Sequence, residues 1–451
     1  MAQTISPKAQ QHLDRLSAAL ESGTFVDVKR MLNSLPPGDV AHLLESSTPR
    51  ARHILWKLID LDNEGDIINE LSEELRLQFL SDKDAAEVAQ ITEHLDDDDI
   101  VDILQKLPEQ VTREVLDSMD QHDRARLEAV LHYPDDTAGG LMNTDTITIR
   151  APLTLDVVLR YLRRHEELPA MTDSLIVVNR EDRFIGLLPL STLLVSDPSR
   201  TVREMMDIDI DPIPAYMADD EVARLFERHD WVSAPVVNEN GKLLGRITID
   251  DVVDVIREDA DHSLTSMAGL EEDVDTFAPV FRTAYRRAIW LGINLVTAFV
   301  AAGVINLFQG TIEKVVALAV LMPIVASMGG IAGTQTLTVL VRGMAMGHIT
   351  RGNGTWLINR ELLVGLLNGL LWASVVAVAA ALWFKDWNLG MIIAAAMVIN
   401  LVMAGFTGAA LPLLMKRINI DPALAGGVVL TTVTDVVGFV SFLGLATWFY
   451  G

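Results

Sequence analysis

The sequence predicts a multidomain membrane protein: an α-helical N domain, a duplicated α/β body, and an all-α transmembrane domain of five helices. Three observations carry this reading. Residues 281–451 hold 10 Lys and Arg against 5 Asp and Glu, a balance of +5, so the net −26 of the 451 residues leaves −31 on residues 1–280. Five uncharged or nearly uncharged stretches follow one another after residue 287. A strand-forming string also recurs 59 residues after its first appearance.

Residues 1–132 read as helices, because apolar residues recur at spacings of three and four and the prolines fall at helix boundaries. The unit Leu32-x-x-Leu35-Pro36 returns as Leu104-x-x-Leu107-Pro108, each copy ending one helix and opening the next. That repetition predicts a small stack of helix pairs. The first 22 residues are polar with no apolar run, so no cleaved signal peptide is expected. Asp96, Asp97, Asp98 and Asp99 are four consecutive acids. By themselves they suit a solvated helix N-terminus, where negative charge favours the helix dipole.

From about residue 143 to 258 short β-branched strands alternate with helices. The string SLIVVN at 174–179, followed by Gly186, returns as SAPVVN at 233–238, followed by Gly245. Each copy follows a helix (155–164 and 220–229) and precedes another (191–195 and 250–257). Two matched βαββα units resemble a tandem pair of CBS modules, which fold onto each other as one regulatory body. In such modules a Gly-x-x-Thr-x-x-Asp string seats an adenosine ribose. The second copy keeps it as Gly245-x-x-Thr248-x-x-Asp251, whereas the first has Pro189 and Thr192 at those places. The resemblance therefore implies a nucleotide such as ATP at the CBS pair, held through Thr248 and Asp251.

The five apolar stretches are 288–308, 315–341, 362–384, 387–415 and 422–451. Each is at least as long as the roughly 20 residues needed to cross a bilayer core. Buried helices of a soluble domain would carry charged faces at helical period, and these stretches have none. Arg282, Arg286 and Arg287 precede the first; Arg342, Arg351 and Arg360 separate the second from the third; Lys416 and Arg417 separate the fourth from the fifth. The other side holds only Lys314 and Lys385, each beside an acid, Glu313 and Asp386. Basic residues near span ends stay cytoplasmic, which places the N-terminal domains in the cytoplasm and the C-terminus outside. Trp290, Trp356, Trp383, Trp387 and Trp448 fall near span ends, where interfacial aromatics belong.

Asp435 is read as the only acid deep inside any span. A carboxylate there costs about 2.5–3.5 kcal/mol on insertion scales, so it needs water or a cation beside it. The plainer reading is a protonated Asp bonded to another helix, but no intramembrane Lys or Arg offers a partner. Gly329, Gly330 and Gly333 either expose backbone or let helices approach closely.

Several functions are excluded. The chain has no cysteine, so disulfides, thiolate metal sites and cysteine nucleophiles are absent. A charge of −31 on the N-terminal part argues against nucleic acid as a partner. No nucleophile–base pair or phosphate loop suggests an enzyme, and no Gly-x-x-x-x-Gly-Lys-Ser/Thr string supports a pump driven by hydrolysis.

The string YPDDTAGGLM at 133–142, at the entry to the CBS pair, resembles the MgtE family of magnesium channels. So do MP at 322–323, SMGGIAGTQ at 327–335, DPAL at 421–424 and TDVVG at 434–438. The resemblance covers nearly the whole chain: a helical N domain over 1–132, tandem CBS domains over 133–258, an acidic linking helix over 259–281, and a transmembrane domain over 282–451. It implies a homodimer in the cell's inner membrane, with two Asp435 carboxylates facing each other across the axis and favouring a divalent cation. It implies that the carbonyls of Ser327, Gly330 and Thr431, with Asp435, surround a hydrated Mg²⁺, and that Thr334 lines the same passage. Asp99, Asp220, Asp230, Asp251, Asp254, Asp259 and Asp421 match the family's cytosolic sensing positions, where Mg²⁺ draws the domains together and shuts the pore. The chain departs from the family at Ile331 and Thr334, where Asn is frequent, and at Ala218, His262 and Ser263, where acids are frequent. Two other readings share the architecture: a transporter of another divalent cation such as Co²⁺ or Ni²⁺, and a non-conducting sensor that passes the state of the CBS pair to a partner.

Overall fold

A computed structural model describes residues 25–450 except 82, 93, 94, 166, 268, 270–274, 276, 350, 351 and 419. The expectations placed on the first 22 residues, on Arg351 and on 270–274 of the linking helix lie outside the described residues. The chain divides into two compact units, one ending at Ala260 and including Asp275, the other running from Asp261 and including everything after Pro279.

The first unit opens with short helices: α1 Phe25–Leu32, α2 Pro37–Glu45, α3 Pro49–Trp56, α4 Leu61–Asn69, α5 Glu73–Leu80, α6 Ala85–Thr92, α7 Asp97–Lys106, α8 Glu109–Ser118 and α9 Gln121–Val130. Pro36 and Pro108 sit at the N-caps of α2 and α8, where a missing N–H costs nothing. Each helix is too short to be stable alone and is held by its apolar stripe. Those stripes meet in one core through Leu44, Leu55, Ile68, Ile103 and Val115, which continues into Val222, Phe226, Val236 and Ile247 of the second CBS module. Arg52 is buried here and grips Asp275 with two bonds, Nη1 to Oδ2 at 2.8 Å and Nη2 to Oδ1 at 3.1 Å.

The duplicated body contains β1 Thr148–Arg150, α10 Leu155–Leu162, β2 Ser174–Val178, β3 Phe184–Pro189, α11 Leu190–Val195, α12 Val202–Met205, β4 Ile213–Pro214, α13 Asp219–His229, β5 Ser233–Val237 and β6 Leu243–Thr248. Two three-stranded sheets form, in order β1-β2-β3 and β4-β5-β6, each with one parallel and one antiparallel pairing. The register repeats to the residue: Ser174 faces Pro189 as Ser233 faces Thr248, and bulges fall at Val177/Val178 and at Val236/Val237. α14 Ile249–Met267 leaves β6 directly and runs without a break through 258 and 259, where the sequence divided the CBS pair from the linking helix.

The second unit holds the end of α14, then α15 Val280–Leu307, α16 Gln309–Lys314, α17 Ala317–Ala345, α18 Gly354–Phe384, α19 Trp387–Arg417 and α20 Pro422–Tyr450. Five of these are long and apolar enough to cross a membrane. Small residues set their spacing: a Cβ at Gly365 would come within 2.6 Å of the Leu401 carbonyl oxygen, at Gly390 within 2.7 Å of that of Ala377, and at Gly405 within 2.6 Å of that of Glu361. α18 and α19 therefore touch backbone to backbone, the close approach that glycine permits between membrane helices. α18 begins at Gly354, not at 362, and so includes Glu361, which is only 7% exposed. The reading of Asp435 as the only acid inside a span is thereby corrected. Glu361 escapes a hydropathy reading because it lies beside Arg360 at the edge of the apolar run, yet it is covered by neighbouring helices.

Candidate functional site

α17 turns Ala326, Ser327, Gly330, Ile331, Thr334 and Gln335 to one side, a spacing of three and four that lies along one helix face. Thr431 and Asp435, one turn apart on α20, face them across a cleft of about 490 Å³. The five residues expected to line an ion path, Ser327, Gly330, Thr334, Thr431 and Asp435, thus line one cleft. The lining offers one carboxylate, three hydroxyls and an amide, with no basic side chain among the described lining residues. Thr431 spends its proton on the carbonyls of Gly427 and Val428, at 3.0 and 3.1 Å, leaving its oxygen as an acceptor. Its own carbonyl accepts a 3.0 Å bond from the Thr434 hydroxyl. Ser327, Thr334 and Thr431 are all exposed, so the cleft is open-sided in one chain.

Three of the four glycines of α17 separate in role. Gly330 opens on the cleft, whereas Gly333 packs on Leu430 and Gly329 on Asn400. Behind the cleft, Asn400 of α19 donates to the Val325 carbonyl at 2.8 Å. Thr336, past the other end of the lining stretch, donates to Glu361 at 3.2 Å, and Arg360 completes that site at 2.8 Å. Neither Asn400 nor Glu361 was found from sequence. The available signals were a lone amide in an apolar run, and an acid in step with Gly365 and Gly369 at four-residue spacing.

In the other unit, the carboxylates of Asp96, Asp98 and Asp99 lie within 4.8 Å of one another at the start of α7. Asp97 turns elsewhere, to Arg126 at 3.2 Å and to the Thr144 hydroxyl. Asp98 is 8% exposed with Oδ1 buried and unpartnered, so the run is no ordinary solvated N-terminus. Asp251 of α14 faces this cluster, with its carboxylate beside that of Asp98. Burial, then the charges of Asp251, Asp99 and Asp96, push the Asp98 carboxyl well above the ordinary range. Burial chiefly, with Asp251 and Asp96 adding, raises Asp99 to about 7 despite the Asn69 hydrogen bond. Asp251 is raised to about 6 by burial and by Asp250. A site that holds carboxylates against their own ionisation offers what a cation would relieve.

Of the other sensing candidates, Asp254 lies beside Glu70, whose carboxyl is raised by burial and then by Asp254. Asp259 acts on Asp219 in the same sense, after burial. Asp220 is paired with Arg224 at 2.9 Å, and Asp230 is exposed where it closes α13 with a left-handed φ of 52°. Asp421 belongs to the second unit, where His262 stands 3.2 Å away. Asn69, Glu70, Asp96 and Asp98 were not singled out as sensing residues, because only the fold brings them to Asp251 and Asp254. Thr248 and Asp251 bond to each other, Oγ1 to Oδ2 at 2.9 Å and N–H to Oδ2 at 3.2 Å, and so cap α14. A Cβ on Gly245 would meet the Asn143 carbonyl oxygen at 2.5 Å, so that glycine admits the chain that enters the CBS pair.

Comparison with known proteins decides the family. A profile described as "Divalent cation transporter" (MgtE) matches residues 322–445, the MgtE intracellular N domain matches 35–136, and the CBS domain matches 138–197 and 202–258. The chain belongs to the MgtE family. It is 28% identical over 435 residues to the magnesium transporter MgtE of Bacillus subtilis, covering 96% of each chain. It is 29% identical over 436 residues to the magnesium transporter MgtE of Thermus thermophilus, covering 96% of this chain and 97% of the relative. Among solved structures, the cytosolic domain of the Mg²⁺ channel MgtE in complex with ATP is 31% identical, with a TM-score of 0.49, covering 54% of this chain and 99% of that one. This MgtE-family chain is a multi-pass membrane protein whose acceptor-lined cleft and acidic cluster lie in separate units.

Proposed function

We propose that this chain is a Mg²⁺ channel for magnesium uptake, gated by Mg²⁺ on its acidic cytosolic surfaces. The observation that carries the reading is the cleft in which Asp435, Ser327, Thr334 and Thr431 converge with no basic residue among the described lining. Mg²⁺ dehydrates reluctantly and keeps its waters, so it calls for acceptors around a wide object. Six waters occupy roughly 180 Å³ at about 30 Å³ each, which the cleft of about 490 Å³ accommodates. An open-sided cleft with one carboxylate suits half of a two-fold pore, and a homodimer places a second Asp435 opposite the first. The eight basic residues before the first span and at the same-side connections between later spans support cytoplasmic N-terminal domains and an external C-terminus.

Gating follows from the acids. With ions bound, repulsion among Asp96, Asp98, Asp99 and Asp251, and within the pairs Glu70–Asp254 and Asp219–Asp259, is neutralised and the compact cytosolic form is favoured. Depletion restores the repulsion. Each ion shifts the equilibrium only by its preference for the closed form. Asp220, Asp230 and Asp421 belong to the same sensing set by family position. ATP at the CBS pair, through Thr248 and Asp251, is the further ligand implied by resemblance, and no gating step is assigned to it. Co²⁺ and Ni²⁺ are the competing cargo, because Ile331 and Thr334 replace amides in the lining.

Flux into proteoliposomes tests the reading, with wild type and Asp435→Ala compared, Mg²⁺ varied on the sensor side, and Co²⁺ as competitor. Mg²⁺ flux that requires Asp435 and falls as sensor-side Mg²⁺ rises is the expected result. A clear Co²⁺ preference moves the cargo to another divalent cation, and absence of wild-type flux at low sensor-side Mg²⁺ leaves a non-conducting sensor.

A further inference from the structure

Asn400 is 1% exposed in the middle of α19 and touches both helices that line the cleft. Its Nδ2 donates to the Val325 carbonyl on α17, two residues after Pro323. Proline brings no N–H to the carbonyl one turn back, so α17 lacks a backbone bond at that point and its onward direction needs a lateral hold. The cleft-lining stretch starts immediately afterwards, at Ala326. The amide lies in a slot between two glycines, one on each lining helix. A Cβ on Gly438 of α20 would come within 2.8 Å of Nδ2, and one on Gly329 of α17 would fall inside the amide. Gly438 is one turn beyond Asp435, and Gly329 is adjacent to Gly330.

The second observation is that Asn400 Oδ1 is buried with no hydrogen-bond partner among the described residues. An unpaired amide oxygen in a low-dielectric interior is unfavourable, and Leu, with the same branching at Cγ, would fill the slot without it. Packing alone therefore does not account for the amide. Its donor bond does, because that bond fixes where α17 goes after the proline. We propose that Asn400 is a positioning residue of the ion path, setting the distance of Ser327, Gly330 and Thr334 from Asp435 through Val325 and the Gly329–Gly438 slot. The proposal rests on the reading of the cleft as the ion path, and it adds a determinant of selectivity outside the lining.

The test is flux through the full-length protein in proteoliposomes, with Mg²⁺ and Co²⁺ supplied in turn, for Asn400→Leu, Gly329→Ala, Asn400→Ala and the Asn400→Ala/Gly329→Ala double variant. Asn400→Leu keeps the volume and removes the donor; it is expected to retain thermal stability in detergent while the Mg²⁺-to-Co²⁺ flux ratio changes at least threefold. Gly329→Ala pushes the amide off Val325 and should shift the ratio the same way. In the Asn400→Ala background the added methyl has room, so the double variant should match Asn400→Ala alone. An unchanged ratio in folded Asn400→Leu overturns the proposal. Should Asn400→Leu fail to fold, the cycle decides, and independent multiplication of the two single effects overturns the proposal. Asp435→Asn is run in parallel: wild-type flux there refutes the cleft as the ion path and the proposal with it, whereas lost flux there with an unchanged ratio in Asn400→Leu refutes the proposal alone.

Discussion

Replacing Asp99 by Asn tests the acidic cluster most directly. The carboxylate oxygens of Asp96, Asp98 and Asp99 lie within 4.8 Å of one another, and a fully ionised pair at that separation repels by about 3.5 kcal/mol at an effective dielectric of about 20. Asp96 is exposed and screened, and Asn keeps an acceptor for Asn69, so the net gain without divalent ions is about 1–3 kcal/mol at pH 8. The sign follows from protons. Asp99 titrates at about 7 in the folded protein instead of 3.8, so the folded state binds the proton more tightly. Its stabilising contribution is complete below about pH 4 and is lost as pH rises through about 7. Wild type without Mg²⁺ should therefore lose stability between pH 4 and 7, and Asp99→Asn should lose less. Mg²⁺ should raise the wild-type melting temperature at pH 8 and raise that of the variant less. Thermal melting of the full-length protein in detergent, at pH 5 and 8 with and without Mg²⁺, reads all four cases. A variant less stable than wild type at pH 8 without Mg²⁺, or stabilised equally by it, refutes the reasoning.

Other outcomes follow from contacts already described. Arg52→Ala strands Asp275, buried to 6% side-chain exposure, and should destabilise the first unit by about 3–5 kcal/mol, seen as faster proteolysis near Asp275; Arg52→Lys, which cannot make both bonds, should fall between. Glu361→Leu leaves Thr336 and Arg360 without their shared acceptor and should cost about 1–3 kcal/mol in detergent melting, while Glu361→Gln, which still accepts from Thr336, should cost less. Gly405→Ala drives a methyl into the Glu361 carbonyl and should lower the yield of folded protein, whereas Gly303→Ala, which meets nothing within 4 Å, should leave it unchanged.

The architecture was legible because each part follows a different local rule. Prolines at 36 and 108 punctuate the short helices, the 59-residue repeat sets the register of both sheets, and the apolar runs mark the spans. In the cleft, Asp435 was legible from its charge in an apolar run, whereas Ser327, Gly330, Thr334 and Thr431 were legible only through the family resemblance. What escaped depends on partners distant in sequence. Asp98 is buried because α14 brings Asp251 to it, and Asn400 matters because glycines 71 and 38 residues away make room for it. Glu361 escaped notice because a hydropathy sum weighs its charge but not the Thr336 and Arg360 that bond to it.

The backbone-to-backbone seam between α18 and α19 has a mechanical consequence. Sliding one helix along the other by a single turn, about 5.4 Å, would bring side chains against the carbonyls that Gly365, Gly390 and Gly405 now admit. The pair is thus a fixed frame, and α17 is moored to it through Asn400 and Glu361. α15 is the opposite case, with Ala301 its one buried residue among those described. Held so lightly by its own chain, α15 adds little to the α18–α19 frame.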